Sequence, residues 1–484
     1  MAAYERATNA EDVRASVARG TLAGIGLTGT FTSIRDGDDA YDDENLGPRR
    51  ETTLRRGDRV WQRNANGNVR ELTGYLKRRA LTERFIDEGT FLKEPARTRF
   101  AGWGTLNGKR MWRLEVNAAG GEPETLWIES DTGLETRLEY LEGDGPMYVD
   151  YADFRDVQGH RVPFRSTTTD GNHQYDVVAL TTTVDLAPKI DPATFAPLVT
   201  RRLETDRVHV VPLIDRGGHV GVTTRIGGKD WFFLLDTGSA AVLVDDAVAK
   251  AAGVASAGAM EVRGAARTGG IGTATLPLVD IDGALMRDVV VATSSLGPTG
   301  TLRYDGILGY PFFAAALVEF DFGAGKVRFG PPGSFVPDGT RVALDVDREL
   351  TEATVRLEDR LDAPVLIDTG NSGEMLLYGP FLDAHPGFVP FTANGSFNYG
   401  IGGANRTYRT SLGRLHIGDT DLYQRAVDVV LAKEGAFADR VDAGNVGLGI
   451  LRNFVVTFDV GNGAMYLRHS AAFDDGRGRR VSQR

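Results

Sequence analysis

The C-terminal half of this chain contains the same unit twice. Each copy opens with an apolar run that ends in Asp-Thr-Gly, WFFLLDTGS at 231–239 and PVLIDTGNS at 364–372. A short helical pattern, a glycine-rich stretch, an apolar-apolar-Gly element and a terminal Phe-Asp strand follow in the same order. The first aspartates of the two units are 132 residues apart and the terminal Phe-Asp pairs are 138 residues apart. Two units of nearly constant length predict duplicated lobes related by a pseudo-twofold axis.

The setting of Asp-Thr-Gly carries the information, because the tripeptide also occurs a third time, at 131–133. There it lies between the strand-like runs LWIES and LETRLEY, a context that predicts a hairpin turn around Asp131. In the repeated units the apolar run predicts a buried strand that delivers Asp236 or Asp368 into a tight turn. Two such carboxylates make a candidate catalytic pair.

Length and pattern predict a mainly β protein of several domains, since 484 residues exceed what one hydrophobic core supports. Residues 21–185 alternate apolar and polar side chains between turn residues, which favours a β domain. Residues 186–206 contain three prolines and little periodicity, and we interpret them as a linker. The expected domains are a curved antiparallel β domain over 1–200 and two β lobes over 207–335 and 340–472.

Two finer predictions concern the N-terminal β domain. Asn9 and Gly20 bracket a pattern typical of a short helix over about 9–19. The polar segment RDGDDAYDDENLGPRRET at 35–52 is expected to be an exposed loop or a disordered tip.

Composition excludes several classes of function. The net charge of −11 argues against nucleic acid as a partner, because phosphate binding needs a basic face. The absence of cysteine excludes thiol catalysis, disulfides and thiolate metal sites. The seven histidines show no ligand spacing, and we interpret them as surface or turn residues. The longest apolar run, FFAAALV at 312–318, is too short to span a bilayer. The N-terminus lacks the apolar core of a signal peptide, so we expect a cytoplasmic protein or a mature form with a new start methionine.

The repeated units resemble the aspartic peptidases of the pepsin and retropepsin clan. The likeness lies in the apolar strand with Asp-Thr-Gly and in a later apolar-apolar-Gly element that braces the turn, over roughly 260 residues. In the first unit the brace is Ile307-Leu308-Gly309, and in the second it is either Asn445-Val446-Gly447 or Leu448-Gly449. Residues 1 to about 200 resemble the half-barrel of the periplasmic lipoprotein carriers, on LWIESDTGLETRLEYLEG and YADFRDVQGHRVPFR.

The peptidase resemblance implies that Asp236 and Asp368 are catalytic. Two carboxylates brought to about 3 Å cannot both ionise, so the pair holds one proton and activates a water between them. Thr237 and Thr369 are expected to hydrogen-bond across the axis, and Gly238 and Gly370 to leave room for the backbone to approach water and substrate. Further expected supports are Ser239, through the outer oxygen of Asp236, and Asn371, which departs from the Ser, Thr or Ala usual at that position.

The glycine-rich stretches resemble the flaps of the same clan. They comprise Gly269, Gly270, Ile271 and Gly272 in the first unit, and Tyr399, Gly400, Ile401 and Gly402 in the second. Plain hairpins are the alternative interpretation, and neither stretch is followed by the helix that a phosphate-binding loop would open. Tyr399 is either a flap tyrosine that closes over substrate or an ordinary strand aromatic.

Two functions remain open at this point. One is an aspartic endopeptidase that acts on a peptide or protein substrate, needs no cofactor or metal, and works as a monomer because both lobes lie in one chain. The other is a non-catalytic periplasmic protein in which an apolar concave face of the half-barrel binds a lipid or peptide. The second resemblance implies a periplasmic or secreted location.

Overall fold

The computed structural model describes residues 2–8, 13–264, 268–296, 302–390, 395–400 and 403–477. The protein is mainly β and divides into two compact units, Met1–Val199 and Thr200–Arg484. Its α-helices are short apart from one, namely α1 (Ala2–Thr8), α2 (Gly74–Asp87), α3 (Asp246–Ala251), α4 (Tyr310–Ala315), α5 (Gly379–Ala384) and α6 (Leu448–Leu451). Single 3-10 turns occur at Thr90–Leu92, Pro95–Arg97, Pro192–Phe195, Ala436–Ala438 and Val460–Asn462.

The N-terminal unit is built on one antiparallel sheet of thirteen strands. These are β1 (Ala15–Gly24), β2 (Leu27–Asp36), β3 (Asp39–Leu46), β4 (Arg49–Arg56), β5 (Arg59–Arg63), β6 (Val69–Glu71), β7 (Thr98–Leu106), β8 (Lys109–Val116), β9 (Glu124–Glu129), β10 (Glu135–Glu142), β11 (Gly145–Val157), β12 (His160–Thr169) and β13 (Val177–Asp185). Their order is β6-β5-β4-β3-β2-β1-β13-β12-β11-β10-β9-β8-β7. Two meanders therefore meet where β1 pairs with β13.

The apolar face of β8 to β11 packs against helices of its own unit. Tyr4 from α1 and Ile86 from α2 share one buried cluster with Leu126 and Ile128 of β9. The same interior also holds carboxyl groups, and burial raises the pKa of Glu135 to about 8. In this part of the sheet the apolar side chains are therefore engaged with these two helices.

Both finer predictions for this unit are wrong. Of the helix predicted over about 9–19, residues 9–12 lie outside the described residues. Residues 15–19 belong to β1, because β2 and β13 pair with that strand on its two sides and outweigh the local helix signal. The predicted exposed loop at 35–52 is a pair of strands, β3 and β4. Its charges are satisfied across the ladder, where Asp43 accepts hydrogen bonds from Arg50 at 2.9 and 3.0 Å and from Thr52 at 2.9 Å. Cross-strand pairing of this kind stabilises a polar hairpin.

The C-terminal unit contains two lobes with the same strand order. Lobe one contributes β14 (His209–Pro212), β15 (Ile214–Arg216), β16 (His219–Ile226), β17 (Lys229–Leu235), β18 (Val242–Asp245), β19 (Ala257–Arg263), β20 (Thr268–Ile281), β21 (Ala284–Ser294), β22 (Gly306–Leu308), β23 (Leu317–Asp321) and β24 (Lys326–Gly330). Lobe two contributes β25 (Thr340–Ala343), β26 (Asp345–Asp347), β27 (Leu350–Leu357), β28 (Leu361–Ile367), β29 (Met375–Tyr378), β30 (Gly395–Gly400), β31 (Gly403–Ile417), β32 (Thr420–Val430), β33 (Gly444–Val446), β34 (Phe454–Asp459) and β35 (Ala464–His469). The lobe sheets run β15-β16-β17-β22-β18-β21-β20-β19 and β26-β27-β28-β33-β29-β32-β31-β30.

A six-stranded sheet joins the lobes, in the order β14-β24-β23-β34-β35-β25. At its centre β23 pairs antiparallel with β34, with Val318 opposite Phe458 and Phe320 opposite Val456. The rings of Phe320 and Phe458 meet edge to face, with centroids 5.8 Å apart. The two lobes thus share one continuous apolar core.

The segment between the two units is more ordered than its prolines predict. Phe195 is buried, in a 3-10 turn that lies against β3 and β4 of the N-terminal unit. Leu203 is also buried and its amide donates to the carbonyl of Ala315 at 3.1 Å, while Glu204 forms an isolated bridge with Leu285. Residues before the expected lobe boundary at 207 therefore already belong to lobe one.

Candidate active site

Each repeated Asp-Thr-Gly occupies a turn that follows a buried strand and is braced by a parallel neighbour. After β17, the amide of Asp236 donates to the carbonyl of Leu308 in β22 at 3.1 Å. After β28, the amide of Asp368 donates to the carbonyl of Val446 in β33 at 2.9 Å. Of the two alternatives for the second brace, Asn445-Val446-Gly447 occupies the place of Ile307-Leu308-Gly309, since β33 pairs with β28 as β22 pairs with β17. Leu448 and Gly449 follow it and donate to the carbonyls of Asn371 and Gly373 at 2.7 and 2.8 Å.

Two threonines lock the turns to each other. The amide of Thr237 donates to Oγ1 of Thr369 at 3.0 Å, and the amide of Thr369 donates to Oγ1 of Thr237 at 3.1 Å. Each hydroxyl then donates to a carbonyl of the opposite lobe, from Thr237 to Ile367 at 2.5 Å and from Thr369 to Leu235 at 2.8 Å. Both side chains are buried, so the four bonds are shielded from water and fix the relative position of the turns.

The glycines of the motif make room for the carboxylate of the other lobe. A Cβ atom added at Gly238 would lie 2.5 Å from Oδ1 of Asp368, and one added at Gly370 would lie 2.5 Å from Oδ1 of Asp236. No side chain fits at such distances, so the approach of the two carboxyl groups requires glycine at both positions.

The two carboxyl groups, each partly exposed, are hydrogen-bonded to one another. Burial, and next the charge of Asp368, raise the pKa of Asp236 well above its usual range. Burial also raises the pKa of Asp368, but the amides of Gly370 and Asn371 and the hydrogen bond from Asp236 oppose that rise. The pair therefore holds one proton over a wide pH range, and its pKa values belong to the pair.

Asn371 supports Asp368 in a way that the sequence alone did not indicate. Its amide donates to Oδ1 of Asp368 at 3.1 Å, as does that of Gly370 at 2.8 Å. Its side chain donates to Oδ1 of Asn445 at 2.8 Å, and Asn445 donates to Oδ2 of Asp368 at 2.8 Å. Asn445 was missed as a site residue, although it begins the brace at the position that Ile307 occupies in lobe one.

The first turn is supported differently. Oγ of Ser239 donates to the carbonyl of Ala241 at 3.0 Å, so the expected bond between Ser239 and the outer oxygen of Asp236 is not made. Asp236 accepts instead from backbone amides, that of Gly238 at 2.9 Å and that of Gly370.

The expected flap residues lie on hairpins. In lobe one Gly269 and Gly270 begin β20 and pair with Val262 and Glu261 of β19. Further along β20, Ile271 packs beside an apolar cluster of lobe one, and Gly272 fits closely against Ser256 and Thr293.

In lobe two Tyr399 and Gly400 end β30, where they pair with Ala404 and Gly403. Ile401 and Gly402 lie outside the described residues. Contact between these hairpins and a substrate stays a prediction.

His219 is a second residue that sequence reasoning missed. It lies at the start of β16 in lobe one and hydrogen-bonds to the backbone of Gly370 in the second turn. Burial lowers the pKa of its imidazole, which that hydrogen bond partly offsets. Spacing along the sequence could not reveal this contact, because the contact joins residues of two different lobes.

Asp131 lies in the turn between β9 and β10 of the N-terminal unit, as its context predicted. Among the described residues, no group of three or more His, Cys, Asp or Glu side chains is arranged to hold a metal ion. In the same part of the chain, no helix has the length and apolar character to cross a membrane.

A family model described as Aspartyl protease matches residues 222–312, a stretch that includes Asp236. No protein with a curated description matches the chain. Among solved structures, an aspartic proteinase from Irpex lacteus is similar at 12% identity and a TM-score of 0.36, over 55% of this chain and 98% of that one.

Two further solved structures are similar to this chain over 40% of its length. One is a LolA superfamily protein from Nitrosomonas europaea, at 15% identity, 96% of its own chain and a TM-score of 0.28. The other is a DUF1329 family protein from Desulfovibrio piger, at 14% identity, 95% of its own chain and a TM-score of 0.29. The family model covers part of the region in which the sequence resembles the aspartic peptidases.

Proposed function

We propose that the protein is an aspartic-type endopeptidase whose catalytic groups are Asp236 and Asp368. The observation that carries the proposal is the hydrogen-bonded carboxyl pair, set in two symmetric turns. Two Asp-Thr-Gly turns with a purely structural role would not be expected to bring their carboxyl groups together, because carboxyl groups in contact oppose each other's ionisation.

In this mechanism a water molecule lies between the two carboxyl groups. Charged Asp368 takes a proton from the water while the water oxygen attacks the scissile carbonyl carbon. In the same step Asp236 donates its proton to the carbonyl oxygen. The product of this step is a neutral tetrahedral diol. Return of a proton from Asp368 to the amide nitrogen, and of a diol proton to Asp236, releases the amine and the acid and restores the starting state.

The expected substrate is an extended peptide or protein segment. The β19–β20 and β30–β31 hairpins are proposed as flaps that close on it and exclude water. Both turns belong to one chain, so the enzyme is proposed to act as a monomer, in the periplasm or outside the cell. The alternative role as a lipid or peptide carrier is less favoured, because the apolar face of β8 to β11 already packs on α1 and α2.

The test is cleavage of an unstructured protein mixture, followed by mass spectrometry across acidic and neutral pH. Asp236→Asn and Asp368→Asn should each reduce cleavage by about 10²–10⁴-fold or more, since each removes a proton-transfer group. Asp131→Asn is the matched control, because it alters the same tripeptide in an ordinary turn, and it should cleave like the wild type.

Cleavage should be strongest at acidic pH and should survive a metal chelator. Persistence of cleavage in either dyad variant, or its loss with the chelator, would rule out this mechanism.

A further inference from the structure

The two lobes place different side chains at one equivalent position beside the catalytic turns. In lobe one Ile307 of β22 lies opposite Leu234, two residues before Asp236. In lobe two Asn445 of β33 lies opposite Leu366, two residues before Asp368. The pseudo-twofold relation therefore matches an isoleucine with an asparagine.

Hydrogen bonds fix the orientation of the Asn445 amide. The amide of Gly373 donates to Oδ1 of Asn371 at 2.8 Å, so the NH2 group of Asn371 points the other way. That group donates to Oδ1 of Asn445 at 2.8 Å, and the NH2 group of Asn445 is left to face Oδ2 of Asp368, at 2.8 Å. We call this chain of hydrogen bonds, from Gly373 through Asn371 and Asn445 to Asp368, the relay. Because the backbone N–H of Gly373 can only donate, it determines which group donates and which accepts at every later bond.

The relay is sheltered from water where it meets the carboxylate. Asn445 is 1% exposed. A hydrogen bond to an ionised carboxylate is strengthened in such surroundings and favours the charged form over the protonated form.

Lobe one offers no comparable side-chain donor among the described residues. Ile307 is buried in an apolar cluster with Phe232, Leu234 and Leu243. The hydroxyl of Ser239, which stands where Asn371 stands in lobe two, donates to the carbonyl of Ala241. Asp236 therefore faces an apolar brace where Asp368 faces an amide.

We propose that Asn445, oriented by Asn371, is a positioning residue that makes Asp368 the ionised, water-activating member of the pair and leaves the shared proton on Asp236. Its catalytic consequence rests on the proposed peptidase function. Its effect on ionisation does not, since the hydrogen bond acts on Asp368 whether or not a peptide is cleaved.

The kinetic test replaces the relay with the residues of lobe one. In Asn445→Ile the acid limb of the pH profile of kcat/KM should move up by about one pH unit, because loss of a charge-assisted hydrogen bond shifts ionisation about tenfold. Asn371→Ser keeps Asn445 but frees its amide to turn over, so it should shift the same limb by less. A simple packing defect would instead lower activity equally at every pH.

A second measurement needs no activity. Protein labelled with ¹³C at the aspartate carboxyl carbons is titrated by NMR, and the Asp368 signal is identified by its loss in Asp368→Asn. Its midpoint should rise by about one pH unit in Asn445→Ile relative to wild type. Folding of each variant is checked by near-ultraviolet circular dichroism, and if Asn445→Ile does not fold, the titration of Asn371→Ser decides.

The outcomes separate the two proposals. A raised midpoint in a protein that cleaves no peptide would support the positioning role and remove the proposed function. An unchanged midpoint and an unchanged acid limb in folded variants would overturn the positioning role and leave the peptidase proposal standing.

Discussion

The lobes share a topology but differ in the hairpin that leads into each lobe sheet. In lobe one β15 and β16 are joined by Gly217 and Gly218, with φ of 61° and 88°. In lobe two the same turn, between β26 and β27, is made by Arg348 and Glu349, with φ of 48° and 64°. Left-handed backbone costs an ordinary residue roughly 1–2 kcal/mol, whereas glycine adopts it freely. Lobe two therefore needs a compensating interaction that lobe one does not.

Four carboxyl groups around Arg348 provide that interaction. Its guanidinium lies 3.0 Å from Asp347 and 3.1 Å from Asp442, contacts Asp439, and lies 3.7 Å from Glu352. One cation cannot balance four buried carboxylates, so some of them retain protons. Burial, and then Asp442 and Asp347, raise the pKa of Glu352 to about 10.

Two of these carboxyl groups have no counterpart in lobe one. Gly221 stands at the position of Glu352, and Arg216 at that of Asp347. Arg216 is exposed and lies 4.0 Å over the ring of Phe232. Duplicated lobes can thus keep one backbone path while one copy acquires a buried network of charged groups.

Arg348→Gly should change the free energy of unfolding most, since it gives lobe two the turn residue of lobe one and removes the cation of the buried network. Loss of the cation should destabilise the protein by about 3–5 kcal/mol at neutral pH, because it leaves buried carboxylates unpaired. The measurement is denaturant unfolding of the full chain. Arg216→Ala, which removes an exposed cation–π contact, is the control and should cost no more than about 1 kcal/mol. Equal losses in the two variants would mean that the cluster does not distinguish the lobes.

Removal of Leu203 tests whether the segment before lobe one completes that lobe. A protein that begins at Thr200 should be soluble and melt cooperatively. One that begins at Thr205 lacks Leu203 and Glu204, and should be less stable by about 2–3 kcal/mol, the value of one buried leucine side chain. Thermal unfolding of the pair checks this. Identical melting curves would restore the boundary at 207, and aggregation of both proteins would show that the two units fold only together.

The buried carboxyl groups of lobe two should make the stability of the protein depend on pH. The pKa of Glu352 is raised above its ordinary value of 4.5, so the folded protein holds a proton that the unfolded chain releases. Stability from this group is complete below about pH 4.5 and is lost as pH rises toward about 10, at up to about 1.4 kcal/mol per pH unit. Glu352→Gln should flatten that dependence when unfolding is measured between pH 6 and 9. Parallel slopes for wild type and variant would contradict it.

Ser239→Ala should have the smallest effect. The hydroxyl contacts the carbonyl of Ala241 and not Asp236, so kcat/KM should change by less than about threefold and stability by about 1 kcal/mol or less. Steady-state kinetics at several pH values would check it. A shift of the acid limb in this variant would mean that Ser239 does support the first carboxylate, and the contrast with Asn371 would weaken.

The sequence predicted the elements of the site that local pattern determines. An apolar run before Asp-Thr-Gly defines each strand and turn, and the duplication places the turns on one axis, so the pairing of Asp236 with Asp368 and the bonds between Thr237 and Thr369 could be anticipated. The role of Asn445 could not, because it depends on which side chain of a distant strand faces the carboxylate. His219 was missed for the same reason.

The errors in the N-terminal unit have a related cause. The segment at 35–52 is polar enough to suggest a loop, and only the partner strand shows that Asp43 is satisfied by Arg50. Residues 15–19 fit a helix locally, and pairing on both sides makes them a strand. Tertiary partners decide both cases.

The lobes meet where β23 pairs with β34, and because both strands belong to one chain, dilution cannot separate the lobes. If the same two halves met as separate chains, their encounter would depend on protein concentration, and half-molecules would be inactive at low abundance. Here the chain between the lobes keeps the effective concentration of one lobe at the other high, whatever the concentration of the protein. The specific activity of the proposed peptidase should consequently be constant from nanomolar to micromolar protein, and one Asp-Thr-Gly turn can change its supporting residues while the other keeps its own.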